Sequence, residues 1–158
     1  MVAFSNRESL LAWAAGLFDG EGTIYASKGR IRASVHMTDL DILETFQSNF
    51  GGFIHPQKKQ KEHHKKSWRW SLQSADQAIS FLTDILPFLH ARRSKRVAEA
   101  ISCYAQAMQE RKTKQDKIRG VREKIRELGK TDMTHKDISI LFHVDRSYVS
   151  HVLNGSIV

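Results

Sequence analysis

The stretch from Arg7 to Gly20 constrains the fold most, because it reads as a helix with two unlike sides. Ala12, Ala15, Gly16, Asp19 and Gly20 recur at helical spacing and form a stripe with almost no side chain. Leu10, Trp13, Leu17 and Phe18 form an apolar stripe on the other side. The apolar stripe belongs against a core. The bare one admits another backbone at close range, at a cost in helix propensity for each glycine. Tight packing within the chain and a seam between two copies both satisfy it. The segment also ends unusually. Asp19 and Glu21 close "AAGLFDGEGTI", where the helix dipole already presents partial negative charge.

Two pairs of strands follow, separated by a helix. In residues 30–38, Ile31, Ala33, Val35 and Met37 alternate with Arg30, Arg32, Ser34, His36 and Thr38. Period two with one polar face is a half-exposed antiparallel strand. The preceding strand turns Ile24 and Ala26 inward and Tyr25 and Ser27 outward, and Lys28-Gly29 suits the turn. Leu43, Phe46 and Phe50 mark a second helix, stopped at Gly51-Gly52. "FIHPQ" and "SWRWSLQ" form the second hairpin, with Trp68, Trp70 and Leu72 on one side and Ser67, Arg69, Ser71 and Gln73 on the other. Ser74 and Gln77 predict a capping box for a third helix through Ile79, Leu82 and Leu86, which Pro87 ends. A longer helix runs through Val97, Ile101, Tyr104 and Met108. The expected class is α+β: a four-stranded antiparallel sheet covered by helices on one face.

The uncovered sheet face is basic. It carries Tyr25, Ser27, Lys28, Arg30, Arg32, Ser34, His36, Arg69 and Ser71, beside a loop holding Lys58, Lys59, Lys61, Lys65 and Lys66. A solvated polar face is ordinary for antiparallel sheets. An arginine-rich face beside five lysines suits the major groove of duplex DNA instead. The formal charge of +8 and pI near 9.8 favour a polyanionic partner. No apolar run is long enough for a bilayer span, and the single cysteine, Cys103, excludes an internal disulfide framework. A reducing intracellular setting is expected, with no membrane and no small-molecule substrate.

A divalent cation would offset the two acids and the helix dipole together. Loop capping by the carboxylates is the alternative. If two copies met along the bare stripe, their acids would gather around one axis. Such a cluster on a DNA-binding face suits metal-assisted phosphodiester hydrolysis.

"AAGLFDGEG" (14–22) resembles the LAGLIDADG motif of homing endonucleases. Ala15, Gly16, Leu17, Asp19 and Gly22 match the consensus, and Glu21 stands at its final acid. The order of elements over roughly residues 5–110 is similar too, as is "LPFLHARRSKR" (86–96). The resemblance implies a metal-dependent, site-specific double-strand DNA endonuclease, intron-encoded or similarly mobile. With one motif, it would act as a homodimer, using magnesium or another divalent metal. Glu21 would be the metal ligand. Asp19 would be the first, more structural acid. Arg92, with Lys95 nearby, would stand where the family supplies a catalysis-supporting lysine. Asp39 would lie near its water-positioning residue. Two departures stand out: Ala14 replaces the first leucine, and Glu21 replaces an aspartate.

The chain's last third is separately organised. Residues 1–110 hold 14 basic and 11 acidic residues, net +3, while 111–158 hold 11 and 6, net +5. "ERKTKQDK" (110–117) reads as a linker or an exposed helix end, with 111–117 dividing residues 1–110 from 118–158. Ile118, Val121, Ile125 and Leu128 share a helix face that Gly129 can end. Thr134 with Asp137 predicts an N-cap, with Ile138 and Leu141 inward. After Phe142-His143-Val144, a second short helix buries Val149, Val152 and Leu153. This resembles the helix-turn-helix modules appended to phage and bacterial homing endonucleases. Its second helix would present Arg146, Ser147, Tyr148, Ser150 and His151 to DNA, Tyr148 being the one that packing also suits. A plain helical hairpin is the other reading.

His63-His64 lies in a lysine loop without cysteine pairs, so zinc is not favoured. A non-catalytic DNA-binding regulator and an RNA-splicing maturase are the alternative functions. Retention of both acids favours the nuclease over the regulator, and the helix-turn-helix favours duplex DNA over RNA. The expected location is the cytoplasm of a bacterial or phage-infected cell, or an organellar matrix.

Overall fold

Asn6 starts the first helix. In a computed structural model, which describes residues 4–58 and 65–156, its side chain accepts the Ser9 N–H at 2.8 Å and Ser9 Oγ accepts the Asn6 N–H at 3.3 Å. Two donors that the helix leaves unpaired are thereby satisfied. Helix α1 (Arg7–Glu21) leads into β1 (Gly22–Ser27) and β2 (Arg30–Met37). Lys28 and Gly29 both take positive φ, 50° and 70°, as the tight hairpin turn requires. Helix α2 (Leu40–Phe50) stops at two left-handed glycines. A Cβ at Gly52 would lie 2.7 Å from the Ser71 carbonyl oxygen, so only glycine lets β3 (Phe53–Pro56) approach β4 (Trp68–Leu72) there.

The four strands order β1-β2-β4-β3, and each neighbouring pair is antiparallel. Helices α1, α2 and α3 (Ala75–Ile85) cover one face. Their seam is aromatic. Phe46 lies 4.9 Å from Trp70, Trp70 5.2 Å from Phe81, and Phe81 5.5 Å from Phe18, centroid to centroid. Trp70 is fully buried, and its Nε1–H donates to the Gly51 carbonyl at 2.7 Å, so its one polar group is satisfied. The expected α+β class and inward-facing residues of β2 and β4 are therefore observed.

Two local expectations change in this part of the chain. Ser74 caps α3 through its carbonyl, which accepts the Ala78 N–H, and no side-chain cap bond forms. Ala15 is fully buried, because it shares a face with Leu11, Ala14 and Phe18 against the chain's own core. The exposed small row on α1 is consequently Ala12, Gly16 and Gly20, spaced by four; an added Cβ at either glycine meets nothing within 4 Å.

The chain divides into two compact units, Met1–Ala107 and Met108–Val158. After a short 3-10 turn at Leu86–Phe88, helix α4 (Ala91–Leu128) passes through the boundary, and residues 110–117 are helical and exposed along their length. In the second unit, α5 (His135–Phe142) and α6 (Arg146–Leu153) enclose a small core with the last turns of α4. Thr134 and Asp137 form the expected capping box. A Cβ at Gly129 would meet the end of the Leu153 side chain, which would have to shift to admit it. Leu141 departs from expectation at 57% exposure. Two helical turns bury Ile138 and half-bury Phe142, four residues on, and this turns Leu141 away. Among the described residues, no helix is long and apolar enough to cross a membrane.

Candidate nucleic-acid interface and acidic helix end

The two acids at the end of α1 have different environments. Asp19 is turned toward the start of α4. One carboxylate oxygen accepts the His90 backbone N–H at 3.0 Å and contacts His90 Nδ1 at 2.7 Å. From the next turn, Arg93 Nη2 donates to the Asp19 carbonyl at 2.6 Å, and its guanidinium lies 5.9 Å from the Phe18 ring centroid. A cation thus occupies the negative end of the helix dipole, and this lets the helix close on acids. Burial pushes the Asp19 carboxyl up. The hydrogen bonds from His90, with the charges of His90 and Arg93, outweigh it and hold the group below its ordinary 3.8. Arg93 Nε is buried without a hydrogen-bond partner among the described residues.

Glu21 is exposed and forms no ion pair or hydrogen bond among the described residues. Gly22 behind it has no room for a Cβ, which would strike Phe18. The chain therefore turns sharply from α1 into β1 and leaves the Glu21 carboxylate at the corner. Arg92 and Lys95 are exposed on the first turns of α4, without ion pairs among the described residues. The basic residue that reaches α1 is Arg93, which the sequence reading passed over in favour of its neighbours; the helical period of α4 was the available signal. Asp39 is exposed at the end of β2, and its nearest polar contact is Thr38 Oγ1 at 3.5 Å. No group of three or more potential metal-ligating side chains exists among the described residues. One chain thus offers a hard cation a single unengaged oxygen donor here, Glu21, with Asp19 already bonded to His90. That donor fits such an ion in kind, and the rest of a coordination shell must come from elsewhere.

The strand register arranges the open sheet face in rows. His36, Arg69 and His55 form the row nearest the end of α1. Thr23, Ser34, Ser71 and Phe53 form the next, Tyr25 and Arg32 the third, and Ser27 and Arg30 the last before the turn at Lys28. A depression of about 470 Å³ is sunk into this face, with Tyr25, Arg30, Arg32, Ser34, Arg69 and Ser71 in its lining. His36 Nε2 contacts Ser67 Oγ at 3.0 Å, which fixes its ring at the margin. Four residues of the face went unnamed from sequence: Thr23, Phe53, His55 and Gln57. Strand β3 has only four residues, too few for alternation to announce itself, whereas Thr23 was legible as the position two before Tyr25. Lys58, Lys65 and Lys66 are exposed nearby, Lys66 Nζ lying 5.3 Å from the Trp68 ring centroid. Lys59 and Lys61 lie outside the described residues.

In the second unit, Arg146, Ser147 and His151 are exposed on α6. Ser150 is half-buried and meets Asn154 Nδ2 at 3.4 Å. Tyr148 is also half-buried, and its hydroxyl accepts from Arg122 Nε at 3.3 Å, so packing claims much of that side chain.

A helix-covered antiparallel sheet with a cationic open face and a lone carboxylate at its helix corner defines a class of domain. The model of the LAGLIDADG-like domain family matches residues 8–86, half of the 158-residue chain. The chain belongs to the LAGLIDADG-like domain family. Its fold is similar to that of the archaeal intron-encoded homing endonuclease I-Vdi141I, solved in complex with DNA: TM-score 0.50 at 15% identity, over 95% of this chain and 98% of that one. The homing endonuclease I-CvuI with its target in the presence of calcium aligns at TM-score 0.47 and 18% identity, over 92% and 93%. The same enzyme with the I-CreI target in magnesium aligns at 0.44 and 20%, over 62% and 69%.

Proposed function

We propose that this protein is a site-specific double-strand DNA endonuclease that acts as a homodimer with a divalent metal, magnesium by preference. The observation that carries the reading is the division of labour between the acids: Asp19 is held by His90, while Glu21 is exposed and unengaged beside the cationic sheet. The archaeal intron-encoded homing endonuclease with a similar fold, solved in complex with DNA, is consistent with it.

Two copies would meet along Ala12, Gly16 and Gly20, the small residues that the chain's own packing leaves uncovered. That pairing would bring two Glu21 carboxylates together, which supplies the second donor that one chain lacks. The paired Glu21 carboxylates would hold a divalent ion, which would supply water activation and charge compensation at the leaving oxygen. The protein's own residues orient the substrate. Arg30, Arg32 and Arg69 bind the duplex and present planar donors to guanine edges or phosphates. Ser34, Ser71 and Thr23 supply adaptable hydroxyls between them. Rows two residues apart are about 7 Å apart, or about two base-pair steps of duplex. Arg92 and Lys95, exposed at the start of α4, would counter phosphate charge, and Arg93 holds α1's end in place.

We read α5 and α6 as a helix-turn-helix that adds a second DNA contact. In its support, His143 takes the left-handed conformation, φ 52° and ψ 46°, that ends α5 and starts the turn. Arg146, Ser147 and His151 are exposed along α6.

The test is direct. Purified protein is incubated with a randomised duplex library and magnesium, and new ends are sequenced. Staggered double-strand ends at one motif are expected, absent with Glu21→Gln and without metal. DNA retained selectively but never cut, unchanged by Glu21→Gln, would overturn the catalytic reading and favour a non-catalytic regulator.

A further inference from the structure

We propose that the C-terminal half of α4, residues 111–126, is a contact surface for the phosphate backbone of duplex DNA, separate from the sheet. The proposal rests on the DNA-binding reading above and extends it to a surface that reading does not use. Over these residues the chain carries eight basic and two acidic side chains, net +6. Residues 111–119 are exposed without exception. Arg111, Gln115, Arg119, Arg122 and Arg126 succeed one another at steps of four, four, three and four, so they share one helix face. The row is about 22 Å long at the rise of an α-helix.

A groove of about 520 Å³ follows that face, with Gln115, Arg119, Arg122 and Arg126 in its lining. Two acids, Asp116 and Glu123, also line it. Asp116 pairs with Arg119 at 2.9 Å, but both side chains are well exposed, and an exposed pair of this kind exchanges readily for a phosphate. Arg122 is held differently. Its Nε donates to the Tyr148 hydroxyl of α6, which sets its orientation from outside its own helix. A charged helix with no apolar cover repels itself. A regular polyanion relieves that repulsion, and the exposed guanidiniums of Arg111 and Arg119 can each bind phosphate through two parallel donors.

The experiment measures binding of the full chain to a duplex carrying its selected site, without catalytic metal, over a series of salt concentrations. Arg111→Gln and Arg119→Gln are combined with Lys112→Gln, which borders the same face three residues before Gln115. All three are exposed, and circular dichroism checks that the fold is kept. Removing three phosphate contacts should make the slope of log K against log salt shallower by about 2.7 and leave base preference unchanged. A folded triple variant with the wild-type slope would overturn this proposal while leaving the sheet reading intact. A wild-type protein with no salt-dependent duplex binding would sink the DNA-binding reading, and this proposal with it. An RNA duplex of equal length forms the second arm, and a slope change confined to RNA also overturns the proposal.

Discussion

The two units hold themselves together by different means. In the first, Phe18, Phe46, Trp70 and Phe81 interlock beneath the sheet, and aliphatic side chains from helices and strands pack around them. In the second, only Ile125, Ile138, Val149 and Val152 are buried among the described residues, and side chains such as Val121, Phe142 and Tyr148 are half-covered. Small cores bury a smaller share of their chain and open more readily. The first unit is therefore a stiff scaffold for a sheet whose rows must keep register. The second depends more on caps, turns and whatever it binds.

The strongest way to break this contrast is to remove the ring at its centre. Trp70→Ala should cost about 3–5 kcal/mol and leave the Gly51 carbonyl without its donor. Because Trp70 sits on β4, between β2 and β3, the arginine rows should lose their spacing as well. Thermal melting followed by near-ultraviolet dichroism would register both. A melting point within a degree or two of wild type would mean that the aromatic seam is not what holds the sheet.

Ile138→Ala tests the other half. The cost should be about 2–4 kcal/mol, taken from a much smaller total. Hydrogen exchange should rise throughout α5 and α6 while the amides of β2 and β4 stay protected. Equal loss of protection in both units would show that they unfold as one, and the comparison would fail.

The contrast also tracks what the sequence made legible. Alternation in residues 30–38 and 67–73 identified the sheet face residue by residue, because one-sided burial enforces period two. Helical period placed α1 but misassigned Ala15, since a helix carrying small residues on neighbouring faces gives no sign of where one face stops. Leu141 was misread because α5 directs Ile138 and Phe142 inward, and either of the neighbouring positions 141 and 142 fits the spacing from Ile138. Arg93 stands one turn before the inward-facing Val97, so the period of α4 ranks it above Arg92 and Lys95 as the residue that meets α1. Phe53 and His55 belong to a strand too short to display a pattern.

Asp19 offers a more moderate test, through pH. Its carboxyl is held below 3.8 in the folded chain, so its stabilisation is fully present above that value. It is lost as pH falls through the lower, folded value, where protonation weakens the bonds from His90. Asp19→Ala should cost about 1–3 kcal/mol near neutral pH, by stranding the His90 N–H and loosening the junction of α1 and α4. That cost should shrink as both proteins are taken below pH 3.8. A difference that stayed constant on acidification would mean that the carboxylate's charge contributes nothing, and that Arg93 alone anchors the helix end.

The smallest effect on folding is expected at Phe53, and there the two properties of the sheet separate. The ring is 59% exposed on a face otherwise built from charged and hydroxyl side chains. Among the described residues its ring contact is with His55, at 6.3 Å between centroids. The described core does not include it, so Phe53→Ser should change stability by less than about 0.5 kcal/mol. If the face lies in a major groove, the ring is placed for apolar contact with a base, a thymine methyl being the natural one. The substitution should then weaken binding to the selected site without moving the melting point. A fallen melting point with unchanged affinity would return Phe53 to packing and leave the hydroxyl and arginine rows to read the duplex without it.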